Sequence, residues 1–312
     1  MTTRTTRIAT ALLGGTAALL ALAAPAGAAT SRTAGPDIST QRLVLTPTDE
    51  GYVGTLTATV TNPGRTATTV DLIITEPAGA SFTTIEPGGG PCFYTDLVDN
   101  RRVSECYGGR IEPRTTMTFQ LGFHVWTTVR DYPMVARGGE VAVLPSGATR
   151  PSDTAAFSTL FASPTGELRH PRAYQQATAT DLTIHGSDVV LTRQPDGSLL
   201  GRMPVSVRYG NDAPSDKVYA TADLPAGVTV WGTDPQDDPS FPDSFSVPGG
   251  RFMPGEVSTF DVILRAPAGT PAGDLGNGSF TVGASYYPRP EVPDVDPADN
   301  TTSFAVRAVE AG

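Results

Sequence analysis

The amino-acid sequence predicts an all-β chain of two tandem β-sandwiches, and three observations carry that expectation. Short runs alternate apolar and polar residues, the signature of strands with one buried face. Glycine (33) and proline (28) punctuate those runs without forming a repeat of their own. The same features then recur in the same order about 140 to 150 residues further on. No helical period interrupts the pattern after the N-terminal segment. Two sheets facing each other are the economical way to bury so many one-sided strands.

A length of 312 residues suggests about two domains, and 39% hydrophobic residues suffice for two cores. Charged residues make up 17%, and no long like-charge run argues for disorder. The formal net charge is −10, with Lys217 the sole lysine. Such acidity repels phosphate backbones and anionic headgroups, so neither nucleic acid nor a membrane surface is expected as a partner.

Arg4 and Arg7 precede an apolar run over residues 8–22, followed by the small residues of Pro25-Ala26-Gly27-Ala28-Ala29. This reads as a secretory signal peptide, residues 1–29, cleaved after Ala28 or Ala29. A membrane anchor needs roughly 20 apolar residues, more than this run supplies. No Arg-Arg pair stands before the run and no cysteine stands at the cleavage site, so general export without a lipid anchor is expected. Removing Arg4 and Arg7 takes the charge of −10 to −12.

Residues 30–37 read as a loose N-terminus. A first sandwich is expected over residues 38–162, opening with a strand at 42–46. Its centre is the stretch 56–82: Leu56, Ala58 and Val60 alternate, Asn62-Pro63-Gly64 turns the chain, and Val70, Leu72 and Ile74 alternate again before Glu76-Pro77-Ala78-Gly79. These read as two strands joined by a turn. Cys92 and Cys106 flank a hairpin turning at Val98-Asp99-Asn100-Arg101. In an oxidising compartment they are expected to pair, and closing a loop of about 15 residues restricts the unfolded chain by about 3 kcal/mol. A reactive thiol would want a basic neighbour, whereas Glu105 adjoins Cys106. Phe119, Leu121, Phe123 and Val125 then line one face of a long strand, and strands at 140–144 and 155–161 form a last pair.

Residues 163–177, without alternation, read as a linker. The second sandwich, 178–312, opens with strands at 181–185 and 188–192. Val205, Val207 and Tyr209, then Val218, Ala220 and Ala222, repeat the central stretch and lead into Leu224-Pro225-Ala226-Gly227. Further strands are expected at 228–232, 259–266, 279–287 and 302–308. Pro113 and Phe119 match Pro254 and Phe260, and residues 153–157 match 300–304, which points to a duplicated domain.

The succession of Val60-Thr61-Asn62-Pro63-Gly64, the two Pro-Ala-Gly corners, the cysteine pair, and Asp296-Pro297-Ala298-Asp299-Asn300 before the last strand resembles bacterial extracellular immunoglobulin-like repeats. The domain-of-unknown-function-11 and CARDB-type adhesion modules are similar over roughly residues 38–162 and 178–309. The resemblance implies immunoglobulin-like sandwiches serving as spacers or adhesion modules, with no catalytic residues to carry over. The chain departs from it in two respects, because its second copy lacks cysteines and no surface anchor follows.

Residues with distinctive chemistry are few and scattered. His124 lies out of phase with the apolar face of its strand, and His170 and His185 fall in the linker and at a strand end; all three are expected in solvent. No metal spacing, nucleophile elbow or phosphate loop is present, and Gly88-Gly89-Gly90 lacks the lysine that such a loop needs. Two acidic clusters, Asp234, Asp237, Asp238 and Asp243, and then Asp294, Asp296 and Asp299, offer hard oxygen ligands suited to calcium. Their spacing is not that of a helix-loop-helix calcium loop, and aspartates in turns ordinarily bond nearby backbone amides. Trp126, Trp231, Tyr286 and Tyr287 would make a sugar-stacking platform if exposed side by side, but packing in a core is their ordinary use.

The expectation is therefore a secreted, extracellular, non-enzymatic structural or adhesion protein that takes no cofactor. Its partner would be an extracellular protein or a cell-wall polysaccharide. The alternatives are a calcium-dependent or carbohydrate-binding module, and a hydrolase with an unrecognised carboxylate pair.

Overall fold

A computed structural model describes residues 35–87, 90–236 and 238–311. The expected signal peptide lies outside the described residues. Every regular element described is a strand. None is a helix long and apolar enough to cross a membrane.

The first sandwich opens with β1 (Asp37–Thr40), β2 (Leu43–Thr48), β3 (Gly51–Thr61), β4 (Thr68–Thr75) and β5 (Phe82–Glu86). It continues with β6 (Cys92–Val98), β7 (Arg101–Ile111), β8 (Thr116–Val125), β9 (Met134–Pro145) and β10 (Asp153–Phe161). A two-residue strand, β11 (Arg172–Ala173), follows. One layer runs β5-β8-β3, with β1 on the far side of β3, and the other runs β6-β7-β4-β9-β10. The strand β2 belongs to both. Leu43–Leu45 run parallel to Thr159–Phe161 of β10, and Thr46–Thr48 then pair antiparallel with β3. A first strand that crosses between layers and lies parallel to the last is the immunoglobulin-like arrangement.

The second sandwich repeats this with β12 (Leu182–Gly186), β13 (Val189–Arg193), β14 (Leu199–Tyr209), β15 (Lys217–Asp223) and β16 (Thr229–Asp234). Then come β17 (Ser244–Ser246), β18 (Glu256–Ala266), β19 (Gly273–Tyr286), β20 (Arg289–Val292) and β21 (Thr301–Val309). Its layers are β16-β18-β14 and β17-β15-β19-β21, and β13 again bridges from β14 to a parallel pairing with β21. The matched pairs fall on equivalent strands, Phe119 and Phe260 on β8 and β18, and residues 153–157 and 301–304 on β10 and β21.

Alternation along each strand sends one set of side chains inward. Tyr52, Leu56, Leu72, Ile74, Phe119 and Phe161 are fully buried in the first core. Phe245, Phe280 and Phe304 meet edge-on or tilted at centroid distances of 5.1 and 4.8 Å in the second. Each such side chain contributes roughly 1.5–3 kcal/mol by leaving water.

The structure adds detail to three of these expectations. The two central strands, β3 and β4, are joined by a turn as expected, and each pairs elsewhere: β3 with β8, and β4 with β7 and β9. The turn at Asn62-Pro63-Gly64 carries the chain from one layer to the other, and Asn62 holds that corner by donating to the carbonyls of Thr66 and Ile111. Asp37, the last residue of the stretch expected to be loose, is already in β1 and pairs with Thr61 at the end of β3. The segment 163–177 is not free of structure either, since β11 pairs with β9 and Tyr174 packs on Phe161 at 4.8 Å. The hairpin turn lies where expected, with Asp99 and Asn100 both at positive φ as its tightness requires.

Candidate functional site

The densest polar construction among the described residues lies where the two sandwiches meet, and it grows out of the first Pro-Ala-Gly corner. After β4 the chain turns back over residues 76–82 and closes on its own first residue. The Glu76 carboxylate accepts from the backbone N–H of Phe82 at 3.0 Å and from that of Arg102 at 3.2 Å. Its third donor comes from the other sandwich, the Tyr286 hydroxyl at 3.2 Å. Glu76 is wholly buried. Desolvation pushes its pKa up, against the lowering pull of these hydrogen bonds and of Arg102.

The tip of this corner enters the neighbouring sandwich. Ala80 is buried among the residues of the second core, with φ at 58°. A left-handed alanine costs roughly 1–2 kcal/mol, and the partners on both sides of its backbone fix it there. Its N–H donates to the Tyr286 hydroxyl at 2.8 Å, and its carbonyl accepts from Arg251 at 2.8 Å. Gly79 is required by space, because a Cβ there would lie 2.6 Å from the Asn100 carbonyl oxygen and 2.9 Å from the Pro214 ring.

Arg102, on β7, is 1% exposed. Its guanidinium lies between the rings of Tyr94 and Tyr286, 4.2 and 4.0 Å from their centroids. Its Nε donates to the Tyr287 carbonyl at 2.8 Å, and Nη2 is paired with Asp216. The same carboxylate accepts from the N–H of Tyr287 at 3.0 Å and has Arg251 at 3.6 Å. Arg251 in turn lies 4.4 Å over Trp126, which stacks on His124 at 3.7 Å.

A third group of contacts involves residues 163–177. Gln176 makes both amide hydrogen bonds to the backbone of Gly79, at 2.7 and 3.1 Å. Asp212 accepts from Thr127 at 2.7 Å, from the Tyr174 hydroxyl at 2.9 Å and from the N–H of Ala177 at 3.0 Å. Burial, and then Asp212, push the Tyr174 pKa well up, so this hydroxyl stays a donor.

These groups fix one sandwich on the other. They are poorly placed for proton transfer, because the Glu76 oxygens are occupied by three donors and enclosed. The residues singled out in the sequence lie elsewhere or apart. Cys92 and Cys106 face each other on β6 and β7 and form the expected disulfide. Asp234 pairs with Arg202 at 2.5 Å and Asp238 with Lys217 at 3.1 Å, while Asp243 is exposed; Asp237 lies outside the described residues. Asp294 accepts from Thr180 at 2.9 Å and from the N–H of Leu182 at 3.0 Å, and Asp296 accepts from the N–H of Ala298 at 3.2 Å. Asp299 is exposed. No group of three metal-ligating side chains converges among the described residues.

His170 and His185 are exposed as expected, whereas His124 is half-buried by its stack on Trp126. The four aromatics do not make one platform: Tyr286 is fully buried, Trp126 is half-buried at the junction, and Trp231 and Tyr287 are exposed on separate segments. Sequence reasoning missed Glu76, Arg102 and Asp216. The available signal was a charged residue at the start of the Pro-Ala-Gly corner, since Glu76 stands where the second copy has Leu224.

No family model matches the chain, and no curated protein matches it. Similar solved structures include a protein of unknown function from Porphyromonas gingivalis W83, with 12% identity over 87% of this chain and 98% of that one, at a TM-score of 0.22. A mutant of the CFA/I enterotoxigenic E. coli adhesin CfaE has 10% identity over 83% and 79% of the two chains, at a TM-score of 0.28. The E. coli chaperone DraB has 11% identity over 88% and 98%, at a TM-score of 0.25. At such scores the likeness adds nothing to the strand pairing described above.

Proposed function

We propose that this chain is an exported, non-catalytic adhesion or structural protein, in which two rigidly coupled sandwiches present their surfaces to an extracellular partner. The observation that carries the reading is the junction. Glu76, Arg102, Asp216 and Arg251 are spent on holding two domains in one orientation, which serves a protein whose task is to display surfaces at fixed spacing. The Cys92–Cys106 disulfide supports an oxidising compartment. Carboxylates engaged in turns and surface ion pairs, rather than aimed into a cleft, support a non-catalytic role.

The test is retention. The tagged chain from residue 30 onward, incubated with cells and culture supernatant of its source, is expected to be held at the surface or to retain a reproducible extracellular polymer or protein. Absence of retention on any such material, or turnover of a glycan or peptide substrate, would overturn the reading.

A further inference from the structure

Trp231 has no part in the junction, and its setting asks for a ligand. It lies on β16, the edge strand of its layer, where the register with β18 slips between Val230 and Gly232. Trp231 is the extra residue of that β-bulge, a device that re-aims a side chain. The result is an indole 59% exposed on the outer face of the sheet. Arg265, from β18, lies over the ring at 4.4 Å and is paired with Asp196 at 3.6 Å. Asp196 is held by the N–H and hydroxyl of Ser198 at 2.9 and 2.6 Å. With Pro195 and Leu200 these residues line an open groove of about 400 Å³, within the size range of ligand clefts, roughly 300–1,000 Å³.

We infer that this groove is a binding site for a neutral saccharide chain, which rests on the adhesion reading and names the chemistry of its partner. The face of an indole carries the negative lobe of its quadrupole and suits the weakly positive C–H face of a pyranose ring. The Arg265 guanidinium over the ring and the Asp196 carboxylate paired with it offer donors and acceptors side by side, which suits vicinal hydroxyls. The charges are already matched, Arg265 by Asp196 and, further along the same face, Arg202 by Asp234 and Asp261. The groove therefore offers hydrogen bonding without net charge, and a chain of net charge −10 repels polyanions. Phe241, 63% exposed, precedes Pro242, whose carbonyl accepts from the N–H of Val230, the residue before Trp231.

The test titrates the chain with a β-1,4-linked glucose hexamer, a β-1,4-linked N-acetylglucosamine hexamer and polygalacturonate, reading tryptophan emission and heat. At least one neutral hexamer is expected to shift the emission saturably. Trp231→Ala should weaken it at least tenfold with an unchanged melting temperature, and Trp231→Tyr should recover most of the affinity. Binding of neither neutral hexamer, binding of the polyanion alone, or full affinity in Trp231→Ala would overturn the inference. Wild-type protein that ignores both hexamers yet is still retained on cells sinks the saccharide site and leaves the adhesion reading standing. Failure of retention with hexamer binding intact does the reverse.

Discussion

In the first sandwich the residue that opens the Pro-Ala-Gly corner is Glu76, just past the end of β4, and in the second the same place holds Leu224. Glu76 is wholly buried beneath the neighbouring domain, whereas Leu224 lies half-buried against its own core. The strand following the corner region differs in the same way. The first copy has the long disulfide-bonded hairpin β6–β7, which delivers Tyr94, Leu97 and Arg102 to the second sandwich, and the second copy has only the three residues of β17. The frame shared by the copies is the immunoglobulin-like core. What distinguishes them is concentrated on the side where they touch. A third copy could not dock on the second in this way, because the second offers neither the acidic corner nor the hairpin.

Removing the side chain at the centre of that asymmetry should have the largest effect. Arg102→Ala leaves Asp216 without its principal partner and empties the space between Tyr94 and Tyr286. Loss of one member of a fully buried pair costs about 3–5 kcal/mol, and with the Asp216 side chain 30% exposed the cost of the broken pair alone falls below that range here. The expected result in urea is a lower first midpoint and separation of one cooperative unfolding transition into two. A single transition at an unchanged midpoint would show that the two sandwiches are coupled by other contacts.

The disulfide comes next. Replacing both Cys92 and Cys106 by serine should lower stability by about 3 kcal/mol through the freed unfolded loop. Because the second copy has no counterpart, the loss should appear in amide exchange of β6, β7 and β4 and leave β14, β18 and β19 protected. Uniform loss across both domains would mean that the hairpin's ordering is needed by the whole molecule.

The two Pro-Ala-Gly glycines separate space from backbone. At Gly79 an added methyl meets the Asn100 carbonyl and the Pro214 ring, so Gly79→Ala should cost about 1–3 kcal/mol as overpacking at the junction. At Gly227 the nearest atom would be 3.9 Å away, but φ is 83°, so Gly227→Ala should cost about 1–2 kcal/mol, from backbone strain alone. Melting temperatures of the two variants, which differ by one methyl in identical motifs, measure the difference directly.

The frame was legible because alternation, turn residues and cysteine pairing are local signals. Phe119, Leu121, Phe123 and Val125 lie on one buried face, as their spacing predicts, and Asn100 turns the hairpin. Which layer a strand joins is not local: only a turn separates β3 from β4, yet each finds its partners far along the chain. Short strands such as β5, β17 and β20 were missed because three to five residues carry too little pattern. The junction was the least legible part. Glu76 and Arg102 look like ordinary solvated charges until the partner domain covers them, and that covering depends on contacts more than a hundred residues apart in sequence. Trp231 was noticed, but the bulge that turns it outward depends on the register with β18.

The smallest expected effect is also the most selective, a proton at Glu76. Desolvation raises its pKa in the folded protein above the ordinary 4.5. Between 4.5 and that raised value the native state holds a proton that the unfolded chain has released. Stability from this group is therefore fully present below pH 4.5 and declines as pH rises through the folded pKa, by at most about 1.4 kcal/mol for each pH unit of the window. Leu224 titrates nothing, so the second copy contributes no such trend at its corner. Glu76→Gln removes the proton while keeping a similar shape, and urea midpoints measured for both proteins from pH 4 upward isolate the effect. Wild type should lose ground to the variant as pH rises. A gain instead would mean that the Phe82, Arg102 and Tyr286 donors outweigh desolvation and hold the carboxylate ionised.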